Sequence, residues 1–272
     1  MAVFRSEIIA GINMDYFVWN IDPIAISVGF VKIRWYGVMF ASAFVSSYLL
    51  MTWMYLREGK NTEEIDDLLT YAATGTIVGA RLGHCLFYDP LYYLSNPFKI
   101  LAIWEGGLAS HGAILGILIA LYLYQRKVKE PYIWFVDRVS IVSALGAAFI
   151  RTGNFFNSEI VGEVTTVPWA VIFQRFDLLP RHPVQLYEAT SYFCVFLLLV
   201  VMYIKRDVKA RSGVFFATFL VTIFSARFLL EFVKTKQASY EDILGMSTGQ
   251  MLSIPFVLAG LIYLVLPLFK KN

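Results

Sequence analysis

VFFATFLVTIFSARFLLEF, residues 214–232, contains only two charges, Arg227 and Glu231, among otherwise apolar or small residues. At about 1.5 Å of rise per residue, a helix of this length reaches close to the roughly 30 Å of a bilayer's hydrocarbon layer. Working outward, comparable stretches lie at roughly 35–56, 67–88, 107–125, 133–150 and 185–204 before the residues 213–232 that enclose it, and at 251–269 after it. A soluble core rarely needs that many long apolar runs in one chain. The expected fold is therefore an all-α, polytopic membrane protein of about seven transmembrane helices, forming a single domain over residues 1–272. Its mean hydropathy of +0.63 and 58% hydrophobic residues agree with that reading.

The connections carry the orientation signal. Arg57 and Lys60 follow the first stretch, Arg126, Lys127 and Lys129 the third, Lys205, Arg206, Lys209 and Arg211 the fifth, and Lys270 and Lys271 the last. Basic clusters in alternate loops mark the cytoplasmic side, which predicts an N-out, C-in topology. On the opposite side two longer connections, 89–106 and 151–184, are expected as external loops capping a site, with Pro168, Pro180 and Pro183 interrupting the second. A third, 233–250, mixes Lys234 and Lys236 with Glu241 and Asp242. The N-terminal segment to about residue 26 shows no cleavable signal and suits an interfacial, amphipathic placement. The basic turns read as contacts to anionic membrane lipids, with no nucleic-acid patch. Gly75, Gly79 and Gly83, and Gly112 with Gly116, repeat at four-residue spacing, which permits close helix approach. Cys85 and Cys194 read as small apolar fillers.

Charged groups within apolar spans face protein or water, because lipid cannot solvate them. Here they include Arg81 and His84, Glu105 and His111, Asp137 and Arg138, Arg151, Asn154 and Glu159, Glu188, and Arg227 with Glu231. Singly, each suits a structural ion pair, and Arg81 with a nearby acid or Asp137 at a helix interface is read that way at first. Under the predicted topology His111, the Arg151–Glu159 group and the Arg227–Glu231 pair approach one leaflet. Two arginines and an asparagine can hold a phosphate, and a histidine titrates in the range of a proton acceptor. The three histidines, at 84, 111 and 182, lack ligand spacing, so neither a metal nor another cofactor is expected. No glycine-rich nucleotide motif is present. Three classes remain open on the residues alone: an enzyme, a transporter for an anionic solute, and a structural membrane protein.

The motifs narrow this. RWYG at 34–37, GARLGHCLFY at 79–88, WEGGLASHG at 104–112, RTGNFFNSEIVG at 151–162, HPVQLYEA at 182–189 and RFLLEF at 227–232 closely resemble the bacterial prolipoprotein diacylglyceryl transferases. The resemblance implies transfer of the diacylglyceryl group of phosphatidylglycerol to the lipobox cysteine of preprolipoproteins. A thioether forms and glycerol 1-phosphate leaves, at the outer face of the bacterial inner membrane. Carried over by motif, Tyr36, His111, Arg151, Arg227 and Glu231 are the expected catalytic residues. Arg151, Asn154, Glu159, Gly162, Arg227, Gly107 and Arg81 are expected to bind substrate. In that scheme the two arginines grip phosphate and His111 accepts or assists loss of the thiol proton. Asn154 and Tyr36 position oxygens, and Glu159 and Glu231 hold the arginines. Ile150 and Ala113 stand where the family pattern usually has glycine, and neither removes a functional group.

Overall fold

The computed structural model describes residues 15–29, 31–103, 106–107, 109–128, 130–205, 212–235 and 246–269. Trp104, Glu105, Lys129, Arg206, Lys209, Arg211, Lys236, Glu241, Asp242, Lys270 and Lys271 lie outside the described residues, as does the chain before Asp15. The described chain is mostly helical: α1 (Trp35–Arg57), α2 (Glu64–Phe87), α3 (Pro90–Ser95), α4 (Ser110–Gln125), α5 (Tyr132–Asn157), α6 (Val184–Lys205), α7 (Val214–Leu230) and α8 (Thr248–Phe269). Each expected apolar stretch falls on one of these helices. Five of them, α1, α5, α6, α8 and α7 taken together with the 3₁₀ turn that carries it to Val233, are long and apolar enough to cross a membrane. The other two differ for physical reasons. Helix α2 is 24 residues long but opens on Glu64, Asp66 and Asp67 and carries His84 in its last turn. Helix α4 is apolar but only 16 residues long, or about 24 Å.

Two further departures concern the ends of the spans. The expected loop from Arg151 does not begin there, because α5 continues to Asn157 and takes up RTGNFFN as its last turns. Gly153 is no break: a Cβ there would lie 3.0 Å from the Tyr36 ring, so its bare backbone is a packing surface. The fold is also not purely helical. Strands β1 (Phe17–Trp19), β4 (Val171–Phe173) and β5 (Pro180–Arg181) form a sheet in the order β1-β4-β5, while β2 (Ile24–Val28) and β3 (Val31–Arg34) form a hairpin. The aromatic and β-branched residues of the N-terminal segment suit strands, and β1 pairs in parallel with β4, Phe17 opposite Val171.

The chain divides into two units. One comprises residues 1–47, 141–207 and 214–272, the other 48–140 and 208–213. In the first, Phe155, Val161, Val171 and Phe173 form a small core against which Trp19 packs. The Trp19 indole donates to the Phe155 carbonyl at 3.0 Å, so its polar edge is satisfied as its ring is covered. Helices α7 and α8 pack through stacked Phe224 and Phe256, with ring centroids 4.4 Å apart. Much of α8 stays apolar and uncovered by protein, including Ile254, Phe256, Leu258 and Ile262, as a lipid-facing helix would be.

In the second unit α2 and α4 meet backbone to backbone. A Cβ on Gly116 would lie 2.0 Å from the Gly75 carbonyl oxygen, and one on Gly112 2.2 Å from that of Gly79. The glycine spacing thus serves helix packing, as the sequence suggests. The charged pair read in the fourth stretch also braces structure. Arg138 donates to Glu58 at 2.8 and 3.0 Å, and the Gly213 amide donates to Asp137 at 2.6 Å. Cys85 and Cys194 are both free thiols.

Candidate active site

The last turns of α5 present Arg151 and Asn154 in the first unit. Three residues apart, they share a helix face, and Arg151 Nη1 donates to Asn154 Oδ1 at 3.2 Å. The Asn154 amide in turn donates to Glu159 Oε2 at 3.1 Å, and Asn157 donates to Glu159 Oε1 at 3.2 Å. The backbone turns sharply to allow this. Ser158 and Ile160 adopt left-handed φ of 56° and 55°, a conformation that side-chain-bearing residues, above all β-branched ones, adopt only under constraint. Between them Glu159 is exposed, its carboxylate clamped by two amides and its carbonyl taking the Gln185 amide at 2.6 Å. Tyr36, at the start of α1, lies in the electrostatic field of both Glu159 and Arg151.

The carboxylate that pairs with Arg151 is Glu188, in the first turns of α6, with Nε to Oε2 at 3.0 Å. Glu188 is fully buried. Its other oxygen accepts from Lys234 Nζ at 2.8 Å and from the Tyr192 hydroxyl at 3.3 Å. Lys234, itself buried, also donates to Glu231 Oε2 at 3.1 Å. The result is an alternating series, Arg151, Glu188, Lys234, Glu231. Such a series can exist away from water because each charge meets its opposite. Two expectations change here. Glu159 reaches Arg151 only through Asn154. Glu231, where α7 gives way to a 3₁₀ turn, pairs with Lys234, and no ion pair joins it to Arg227.

Half-buried Arg227 makes no hydrogen bond or ion pair among the described residues, and Arg151 makes none through Nη2. The charges of both arginines act on the Tyr192 hydroxyl. One end of this unit therefore offers two guanidinium groups with unused donors, a preset amide and an exposed carboxylate. Unused, partly desolvated guanidinium donors are what a phosphate requires.

The sequence model of the prolipoprotein diacylglyceryl transferase family matches residues 23–266. The chain belongs to this family. It is 51% identical to the phosphatidylglycerol–prolipoprotein diacylglyceryl transferase of Tolumonas auensis, over 93% of this chain and 98% of the relative. The relatives of the same name from Chloroherpeton thalassium and Bacteroides fragilis are 50% and 41% identical, over 91% and 93% of this chain and 93% and 96% of theirs.

The remaining residues expected of a prolipoprotein diacylglyceryl transferase are placed as follows. Gly162 is buried; its amide donates to the His182 carbonyl at 3.0 Å, and a Cβ would strike His182 at 2.6 Å. It shapes the turn after Glu159. The His182 imidazole sits 3.2 Å from the Tyr187 hydroxyl, and burial pushes it below the ordinary histidine range. In the second unit His111 is exposed in the first turn of α4. Arg81 corrects the ion-pair expectation. Its guanidinium donates to the carbonyls of Lys99, Ile100, Gly106 and Gly107, with Nε to Ile100 at 2.9 Å, and lies over the Tyr93 ring. Gly107, at φ +73°, is held under it, and a Cβ there would meet the His84 ring at 2.5 Å. Arg81 and Gly107 thus shape the connection before α4.

Lys234 and Tyr192 were not among the residues singled out for a site. The i, i+3 spacing of Glu231 and Lys234, next to the glutamate of HPVQLYEA, is the signal that could have pointed to a buried network.

Proposed function

We propose that this protein transfers the diacylglyceryl group of phosphatidylglycerol to the cysteine thiol of a prolipoprotein, releasing glycerol 1-phosphate. Membership of the family and the relatives' names support the transfer itself. The observation in the site that favours it is the Arg151 guanidinium, ion-paired with buried Glu188 and hydrogen-bonded to Asn154 while Nη2 makes no protein hydrogen bond. In the reaction the thiol gives up its proton, and the sulfur attacks the glyceryl methylene. The carbon–oxygen bond to phosphate breaks with its electron pair going to the phosphate oxygen. Arg151 and Arg227 stabilise the charge that grows there, a contribution that increases toward the transition state. Asn154 holds Arg151 and Glu159 in register, and Tyr36 positions a headgroup oxygen. Glu231 acts through Lys234. The role of His111 as proton acceptor rests on the resemblance and on its exposed imidazole. Thiolate formation is needed because the thiol is a poor nucleophile.

In this reading the protein spans the membrane seven times, α2 and α4 included, with its N-terminus outside and its C-terminus inside. It resides in the bacterial inner membrane with Arg151 toward the outer leaflet, where lipid and the lipobox signal segment of the substrate both have access. The chain acts as one domain, with no cofactor.

The test is transfer of labelled diacylglycerol from phosphatidylglycerol to a lipobox peptide by purified protein in detergent. Label on the cysteine supports the reading. A peptide with the cysteine changed to serine should receive none. No label with folded protein would overturn the transferase and return the anion-transport reading.

A further inference from the structure

We infer that Glu188 and Lys234 form a positioning unit for Arg151, resting on the proposed reaction: the buried carboxylate holds the guanidinium by ion pairing, and the lysine holds that carboxylate in place. The geometry is specific. Glu188 Oε2 pairs with Arg151 by charge, 3.0 Å from Nε and with no hydrogen bond of its own, which leaves the two terminal nitrogens to Asn154 and to a ligand. An arginine on a flexible stem would otherwise sample many rotamers, and a phosphate clamp works only when its donors are preset. Glu188 is fully buried, and a carboxylate there needs more than one cation. Lys234 supplies the second at 2.8 Å, with Tyr192 donating to the same oxygen at 3.3 Å. Lys234 is in turn fixed by Glu231 at 3.1 Å and by its backbone, which bridges to Gly162. Behind Glu231 stands Gly249, where a Cβ would lie 2.5 Å from the carboxylate. The unit thus connects α5, α6, the 3₁₀ turn after α7 and the first turn of α8. None of its interactions is needed to place Arg227, whose donors stay unpaired among the described residues.

The experiment is a double-mutant cycle on kcat/KM for phosphatidylglycerol with Arg151→Lys and Glu188→Gln, in full-length protein whose folding is monitored by thermal unfolding. Each single change is expected to lower kcat/KM by about 100-fold, and the double variant to be no worse than about threefold below the weaker single. Purely structural residues would give multiplied losses, because their effects are independent of the arginine's identity. A second readout is chemical rescue. Ethylguanidinium should restore part of the activity of Arg151→Ala, and should fail to do so when Glu188→Gln is added. Lys234→Arg should stay within about fivefold of wild type, because it keeps the charge, and Lys234→Met should fall by about 30-fold or more in the same parameter. If Glu188→Gln does not yield folded protein, the cycle is run with Lys234→Met in its place. Multiplied losses, rescue independent of Glu188, or full activity of Lys234→Met would each overturn the inference. A wild-type protein that transfers nothing would instead overturn the proposed reaction.

Discussion

Arg81 and Arg151 look alike in the sequence: each stands within an apolar stretch, close to a glycine and an amide- or imidazole-bearing residue. The structure uses them in opposite ways. Arg81 spends its donors on four backbone carbonyls of the connection between α2 and α4 and is almost wholly buried. Arg151 is fixed by one carboxylate and one amide, with Nη2 left over. Arg81 is used up by the protein's own acceptors, whereas Arg151 keeps a donor that the proposed phosphate would take.

That contrast can be broken most decisively at Arg151. Replacement by Ala should lower kcat/KM by roughly 1,000-fold, the scale of losing a preset donor to a developing charge. The melting temperature should fall as well, because buried Glu188 then keeps Lys234 as its one cation. Activity surviving at wild-type level would erase the distinction. The converse change, Arg81→Met, removes hydrogen bonds to four carbonyls at about 1 kcal/mol apiece. It should destabilise the protein by roughly 4 kcal/mol in a denaturation titration, while the activity of each folded molecule stays within a few-fold. A selective loss of lipid binding with unchanged stability would return Arg81 to the substrate site.

A smaller effect sharpens the comparison from the packing side. Gly116→Ala in α4 places a methyl against the Gly75 carbonyl, where backbone itself must shift, at a cost of about 3 kcal/mol, the upper end for overpacking. The gain in helix propensity returns about 1 kcal/mol, so thermal unfolding should report a modest net loss. The smallest effect belongs to His182. Because burial lowers its folded-state affinity for a proton, the unfolded chain takes up the proton first as pH falls. Its contribution is complete well above the ordinary histidine range and is lost as pH falls through that range toward the lower folded value. His182→Gln should flatten the dependence of the melting temperature on pH as pH falls below about 6.5, and an unchanged slope would assign that dependence elsewhere.

The apolar spans were legible because a helix across lipid needs a long apolar run, and 214–232 or 251–269 can hardly be anything else. Arg151, Asn154 and Glu159 were legible as a group because they lie within nine residues on one helix end and the turn after it. What was not legible depends on partners distant in sequence. Strand β1 is three residues long and pairs with a strand more than 150 residues away, so no local pattern announces it. The fourth stretch reads as ending at residue 150 until Tyr36 is packed on Gly153. Lys234 reads as a solvated loop charge, the usual fate of lysine. Its burial follows only once α6 supplies Glu188 and the turn after α7 supplies Glu231.

The facing glycines of α2 and α4 carry a consequence for how this part of the chain can vary. Where one backbone rests on another's carbonyl oxygen, with Gly116 on Gly75 and Gly112 on Gly79, no side chain is available to absorb a change by adopting another rotamer. A single added methyl must displace a whole helix, so the two faces can diverge only in concert. Leu82, Leu86, Ile114, Leu115 and Ile119 point away from the protein and can be exchanged among apolar residues at little cost. Natural variation in this pair should accumulate on the outer rim of each helix and stop at the seam.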